Sequence, residues 1–488
     1  MFFILRYEFE SLFIKTILSR EIILFKTIAM INRIELEAFF RDLKSKIIAG
    51  NSVLSFTQFI NEHDFHRFIK NHINDHVNSL YWSQPAEEFT YFAYKELFQL
   101  PVDNSKNETL KDLSNRIFSN LGSFQKQKQP LFLGGIKFPS SKHDSIWKDF
   151  DTEKWFIPKI LILKSGNEFS ITFNFFKESL EVDDLDKITE AILNDLNESP
   201  RMKDEDSIFV GNSSRELKLR NWSNQIDKIL NKISTGDISK VVLARYKDII
   251  PFESQDILPL MKKLEDNFEN CYTFAYRNGK SVFLGSSPEK LFKISDGYIE
   301  TDALAGSFPR GISNEEDKNY STELLRSKKN LVEQKSVVDF LLEQLTPVTE
   351  KILFDSQPSI KKYKNIQHLY SQIRAKLKRN TTIFSLLELL HPTPAVCGMP
   401  KIESLETIND LEDFERGMYA GVLGWFNLQN EGEFIVGIRS ALLQDGFLRA
   451  FAGCGIVEGS ESSSEFNETD LKLKPILNLF THETISKS

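Results

Sequence analysis

The chain has 488 residues, 41% hydrophobic and 27% charged, with a formal charge of −8. That composition supplies core for one large domain or two to three ordinary ones, and the lack of a basic excess argues against a nucleic-acid binder. Cys271, Cys397 and Cys454 are odd in number and lack CxxC spacing, which disfavours a disulfide framework or a zinc site and points to a reducing, cytoplasmic compartment.

The first 30 residues, MFFILRYEFESLFIKTILSREIILFKTIAM, are apolar but interrupted by Arg6, Glu8, Glu10, Lys15, Arg20, Glu21 and Lys26. No run approaches the ~20 residues of a membrane span, and no small-residue cleavage site follows a short apolar core. An interfacial amphipathic helix fits, as does a start codon placed too early with translation from Met30. Residues 1–29 are read as an extension of the second kind. Residues 30–215 alternate helical and strand-like segments and form the N-terminal part of the fold. Within them LFLGGIKFP (131–139) reads as a strand with a glycine bend, Trp155 to Phe176 as a strand pair around SGNE, and NESPRMKDEDS (197–207) as a linker.

Residues 216–480 are the expected catalytic domain, followed by a tail at 481–488. An amphipathic helix, ELKLRNWSNQIDKILNKISTG, stops at Gly236, and SKVVLARYKDII follows as a strand. SVFLGSSPEKLFKI and YIETDALAGS are strands joined at turns. The capping pattern Ser313-x-x-Glu316 opens one long helix to about Leu345. MYAGVLGWFNL, EFIVGIRSALL and FLRAFAGCGIV read as a three-stranded antiparallel meander with NEGE and QDG turns. A last helix, from about Ser464 to Phe480, bends at Pro475. This mixture predicts an α+β fold with large antiparallel sheets.

Several residues could carry chemistry, each with an ordinary alternative. Glu465, Glu468 and Lys472 share one helical stripe; two carboxylates there suit a hard cation, while Glu468 and Lys472 equally make an i,i+4 surface pair. Glu333 and Asp339 lie among charged neighbours on a long helix, which by default is a solvated face. Lys240 opens its strand, either as a gatekeeper at a strand edge or, in a closed pocket, as a general base. Glu289, in a Ser-Ser-Pro-Glu turn, is an exposed turn residue or, if buried, an acid. Arg439 interrupts an apolar strand and suits bidentate capture of a carboxylate, or faces solvent. Gly453 in FAGCGIVEGS lets backbone N–H groups approach an anion. His391 ends a helix before Pro392, where a cation is favoured.

Taken in order, SKVVLAR, GSSPEKLF, DALAGSFPRG, NLVEQKSVVD, HLYSQIRAKL, LHPTPAVCGMPK, MYAGVLGW, FIVGIRSALL and FAGCGIVEGSESSSEFNETDLKL closely resemble the chorismate-utilising enzymes over residues 216 to 480. The resemblance implies their fold, large antiparallel sheets packed as a sandwich with helices outside. Within that superfamily the pattern is most similar to the isochorismate synthases. Lys240 stands where ammonia-using members have glutamine, Ala305 where aminodeoxychorismate synthases have a nucleophilic lysine, and HPTPAVCG has the Pro-Ala form of isochorismate synthases.

The resemblance implies that Lys240 is the base that activates water and Glu289 the acid for the departing hydroxyl. It implies Mg²⁺ as cofactor, with Glu333 and Glu468 as direct ligands and Glu465 in support. Gly306, His368, His391, Arg439, Gly453 and Lys472 fall where the family binds chorismate. A monomer is expected, with chorismate as the small-molecule partner and neither nucleic acid nor a membrane span. Menaquinone supply is the expected pathway, with siderophore synthesis the other route from isochorismate. A salicylate synthase, which goes on to eliminate pyruvate, is the nearest alternative; an ammonia-using anthranilate synthase-type subunit is more distant. Gln334 departs from the family, following Glu333 where His is common, and Cys397 and Cys454 stand at positions often held by small residues.

Overall fold

The computed structural model describes residues 53–100, 131–176, 215–249, 256–363, 366–444 and 447–480. The readings of 1–29, 197–207 and 481–488 fall outside these. In chain order the elements begin with β1 (Val53–Phe59), α1 (Glu62–His72), β2 (Ser79–Gln84), β3 (Phe89–Gln99), β4 (Phe132–Ile136), β5 (Glu153–Ser165) and β6 (Glu168–Phe176). They continue with α2 (Arg215–Ser234), β7 (Lys240–Ile249), α3 (Ile257–Asn267), β8 (Tyr272–Asn278), β9 (Ser281–Ser287), β10 (Lys290–Ser295) and β11 (Tyr298–Pro309). Next come α4 (Asn314–Arg326), α5 (Lys328–Leu345), β12 (Thr349–Phe354), β13 (Ser359–Lys362), β14 (Ile366–Leu377) and α6 (Ile383–Leu390). The chain closes with β15 (Gly398–Met399), α7 (Lys401–Leu411), β16 (Val422–Phe426), β17 (Gly432–Val436), β18 (Ser440–Gln444), β19 (Phe447–Ile456) and α8 (Ser462–Leu477).

Two antiparallel sheets share β5. One runs β1–β6–β5–β3–β2–β8–β9–β18–β19–β7–β15. The other runs β5–β4–β16–β17–β10–β11–β14, with β12 and β13 beyond β14. β5 makes this possible by its length: Glu153–Phe156 pair with β4, and Ile160–Ser165 pair with β6. Pro158, which has no N–H for a ladder, sits between the two stretches. Strands before residue 215 are thus neighbours of strands after it, β2 beside β8 and β4 beside β16.

Alternation along the strands explains why several read as continuous apolar runs. Leu80, Trp82, Tyr91, Phe274 and Tyr276 point into the core between the sheets. Tyr81, Phe92, Tyr94 and Ala275 point the other way, onto α1, α3 and α8. A sheet covered on both faces has no polar side to display. Trp155 anchors the interior, edge-on to Phe426 and Phe434 at 5.4 and 5.7 Å between ring centroids.

The strand with a glycine bend, the pair around SGNE and the helix stopped near Gly236 form as expected. Three expectations are corrected. The long helix is two: Ser327 is extended (φ −69°, ψ 109°), and its side chain accepts from Asn330 N–H to cap α5. A capping serine offers its neighbours a hydrogen bond that competes with continuing the helix. FIVGIRSALL is likewise two strands. β17 pairs with β16 and β10, β18 with β9 and β19, and Arg439 has φ 51° in the break, so the meander crosses between sheets. Finally, Lys240 is no edge gatekeeper, because β7 lies between β19 and β15 and the lysine is 5% exposed.

Candidate active site

The ends of these strands and the flanks of α5 and α8 enclose a cavity of about 290 Å³, near the lower end of small-molecule sites. Its wall carries four cations, Lys240, Lys329, Arg439 and Lys472, and four carboxylates, Glu289, Glu333, Glu465 and Glu468. Apolar surface from Val242, Leu304, Ala395, Val396 and Ile438 completes it. Ten of the eleven expected site residues line this one space; the exception is His391.

Lys240 reaches the cavity because Gly455 leaves room: a Cβ there would lie 2.7 Å from Lys240 Cε. Its ammonium donates to Glu333 Oε1 at 2.9 Å. Burial pushes the Glu333 carboxyl up, but the charge and hydrogen bond of Lys240, with Lys472 and Lys329 behind, hold it below the usual range. Glu333 is therefore an ionised wall group and no solvated face, whereas Asp339 is exposed and pairs with Lys335.

Glu289 is fixed by its backbone. Its carbonyl accepts from Val436 N–H at 3.1 Å, its N–H donates to Ser287 Oγ at 3.2 Å, and that hydroxyl donates to Val436 O at 2.6 Å. Its side chain receives only a long bond from Thr393 Oγ1, 3.4 Å from Oε1. Burial pushes this carboxyl up to about 7, which the hydroxyl and the more distant charges of Lys240 and Lys472 fail to reverse.

The break between β17 and β18 turns Arg439 inward. Its carbonyl accepts from Ser286 N–H at 3.1 Å, while its guanidinium has no hydrogen-bond or ion-pair partner among the described residues. A half-buried, unpaired cation on a cavity wall suits an anion. His368 presents a second open group: Ser307 Oγ lies 2.9 Å from Nδ1, and Nε2 has no partner among the described residues. Burial pushes this imidazole down to about 3, with Arg439 and Lys472 adding to the effect, so the ring is neutral. Gly306 turns beside it with φ 74°, and a Cβ there would meet Asn330 at 2.9 Å.

From α8, Lys472 donates to Glu468 Oε1 at 2.7 Å and to the Gly453 carbonyl at 3.0 Å. The i,i+4 pair is real, but it faces the cavity. Gly453 thus serves Lys472 through its carbonyl, where its N–H was expected to meet an anion. Burial and the Glu468 charge raise the Glu465 carboxyl, against the Ser460 hydrogen bond. These three glutamates offer an oxygen-only donor set that suits a hard divalent cation. Glu333 and Glu468 are turned to lysines, and among the described residues no group of three His, Cys, Asp or Glu is gathered closely enough to hold a metal.

His391 is the displaced member. It caps α6, its Nε2 donates to Ala420 O at 2.8 Å, and burial pushes it down to about 4. It is therefore neutral there, so the expected cation at the helix end does not form. Gln334 also points away, donating to Ser371 Oγ at 3.1 Å. Cys454 lines the cavity while Cys397 does not, and all three cysteines are free and buried.

Tyr419, Lys329, Asn330 and Thr393 also line or touch the site and were not singled out from sequence. Tyr419 and Thr393 lie inside the quoted segments MYAGVLGW and LHPTPAVCGMPK, but an aromatic among apolar residues or a threonine between prolines carries no signal of its own. No described helix is long and apolar enough to cross a membrane.

A sequence profile described as chorismate binding enzyme matches residues 39–481. An isochorismate synthase of Bacillus subtilis is 32% identical over 414 residues, covering 82% of this chain and 87% of its own. A salicylate biosynthesis isochorismate synthase of Pseudomonas aeruginosa is 31% identical, covering 81% and 83%. Among solved structures, the menaquinone-specific isochorismate synthase of Escherichia coli superposes with a TM-score of 0.74 at 23% identity, covering 91% of this chain and 99% of that one.

Proposed function

The chain belongs to the chorismate-binding enzymes, and from that premise we propose that it is an isochorismate synthase, an isomerase that moves the hydroxyl of chorismate from C4 to C2. The observation that carries this reading is Lys240, an amine buried in the cavity wall where water needs a base to become a nucleophile. As the base, Lys240 takes a proton from water as the oxygen bonds to C2. Both ring double bonds shift, C1=C2 to C1=C6 and C5=C6 to C4=C5, the C4–O bond breaks, and Glu289 gives its proton to the leaving hydroxyl. One water enters and one leaves. With its carboxyl raised to about 7, Glu289 holds that proton near neutral pH.

Arg439, Lys472 and the open Nε2 of His368 suit the two carboxylates and hydroxyl of chorismate, with Gly306 shaping the turn beside them. Glu333 and Glu468, supported by Glu465, would hold Mg²⁺, which supplies neutralising charge for the ring carboxylate when bound. At Ala305 the wall itself supplies no amine to attack the ring.

The test is purified protein with chorismate and Mg²⁺ in H₂¹⁸O, analysed by chromatography and mass spectrometry. Isochorismate carrying one ¹⁸O is expected; unchanged chorismate would refute the activity, and sustained salicylate fluorescence would move the chain to the salicylate synthases. EDTA should abolish turnover and added Mg²⁺ restore it, so full activity in chelator would overturn the metal assignment.

A further inference from the structure

Behind the cavity wall, Glu412 and Arg416 form an ion pair in the interior, 3% and 1% exposed. Arg416 Nε donates to Glu412 Oε2 at 2.8 Å, and Nη2 reaches Oε1. The remaining bonds go to backbone. Nη1 donates to Val396 O at 2.8 Å, Nη2 to Val242 O at 2.7 Å, and Glu412 Oε1 accepts from Ala244 N–H at 2.8 Å. The guanidinium also lies over the Phe138 ring, 4.4 Å from its centroid.

The ladder along β7 shows what this pair replaces. On one edge β7 pairs with β19 from Val241 to Ile249. On the other, β15 covers only Lys240 and Val241, and Val242 N–H then donates to Cys397 O at 2.7 Å. Beyond that point no strand among the described residues takes Val242 O and Ala244 N–H, and buried backbone groups must find partners. The side chains of Arg416 and Glu412 supply them, standing in for a missing strand.

Both carbonyls held by Arg416 belong to residues of the cavity wall. Val242 is two residues from Lys240 on the same face of β7, and Val396 lies in the loop whose Thr393 donates to Glu289. A buried ion pair is a poor source of net stability, because desolvation offsets much of its attraction; fixing two wall segments against each other is a better account of this one. We infer that Glu412 and Arg416 are a positioning pair that sets the Lys240 strand and the Thr393–Cys397 loop in register, and so places the base relative to the acid. The inference rests on the isochorismate synthase reading for its kinetic consequence and on geometry alone for its structural one.

Arg416→Lys keeps the charge but cannot fork to two carbonyls. It is expected to lower kcat about 30-fold, less than the roughly 10²-fold that a 1 Å misplacement can cost, with KM within about twofold. Glu412→Gln keeps an acceptor for Ala244 and should lower kcat only about threefold. Amide hydrogen exchange without substrate should speed up in 240–246 and 393–398 in both variants, while 272–287 stays protected. If Arg416→Lys does not fold, Glu412→Gln decides. A folded variant with unchanged kcat, or with KM carrying the loss, overturns the kinetic role. Unchanged or uniformly faster exchange overturns the positioning role, and it does so even if the wild-type protein turns over no chorismate, an outcome that refutes the proposed function instead.

Discussion

Glu289 and Glu333 line the same cavity and both lose water, yet one carboxyl is pushed up to about 7 while the other is held below its ordinary range. The difference lies in what each wall brings. At Glu333 the buried Lys240 ammonium stands at 2.9 Å, with Lys472 and Lys329 adding charge. The Glu289 turn is fastened through its backbone, leaving the carboxyl a single 3.4 Å hydroxyl contact. One residue type is pushed in opposite directions because environment separates the two.

The largest expected break in this contrast is Lys240→Ala. It removes the proposed base and the counter-charge of Glu333 together, so kcat should fall about 10³-fold. The Glu333 carboxyl would then drift up and come to resemble Glu289. Single-turnover conversion of chorismate measures the loss, and a rate within tenfold of wild type would remove Lys240 from the base role.

Glu289→Gln comes next, with about a 10²-fold loss of kcat expected from removal of the acid. With Glu289 as the proposed acid, the active form of the wild-type protein carries the proton, so kcat should decline as pH rises through about 7. The stability change has the same sign. A carboxyl whose folded pKa is raised binds more protons folded than unfolded, so its contribution is full below the unfolded value and is lost as pH rises through the folded one. Glu289→Gln should therefore be more stable than wild type at pH 8 by about 3 kcal/mol at most, and no more stable at pH 4. Urea melts at the two pH values test this, and a flat difference between them would contradict the raised carboxyl.

Arg439→Ala tests the open cation that neither glutamate engages. Loss of a charged hydrogen bond worth about 2 kcal/mol corresponds to roughly a 30-fold rise in KM, with kcat little changed. A kcat effect without a KM effect would remove Arg439 from substrate binding. The smallest effect is expected for Gln334→Ala, next to Glu333 in sequence but turned to Ser371. It should cost about 1 kcal/mol of stability and leave the Mg²⁺ dependence of the rate within about twofold; a shifted Mg²⁺ titration would place Gln334 in the cation site after all.

The sequence by itself determined the family, the antiparallel character of the sheets and ten residues of the cavity wall, because ordered segments from Lys240 to Lys472 carry residue identities that periodicity does not. The tertiary structure decided the rest. Arg439 reads as an interruption of an apolar strand, turned to a carboxylate or to solvent, until β17 and β18 are seen to belong to different sheets, which turns it inward at φ 51°. His391 reads as a pocket histidine until its ring is found on Ala420 O. Glu412 and Arg416 drew no notice in the sequence; β15 ends early and leaves Val242 O and Ala244 N–H for them to satisfy. In each case the deciding quantity is a long-range one, a missing strand partner, a desolvated charge or a carbonyl from a distant segment. Local sequence fixes the residue types and their spacing, but solvent exclusion and hydrogen-bond completion are settled only when the chain has closed on itself.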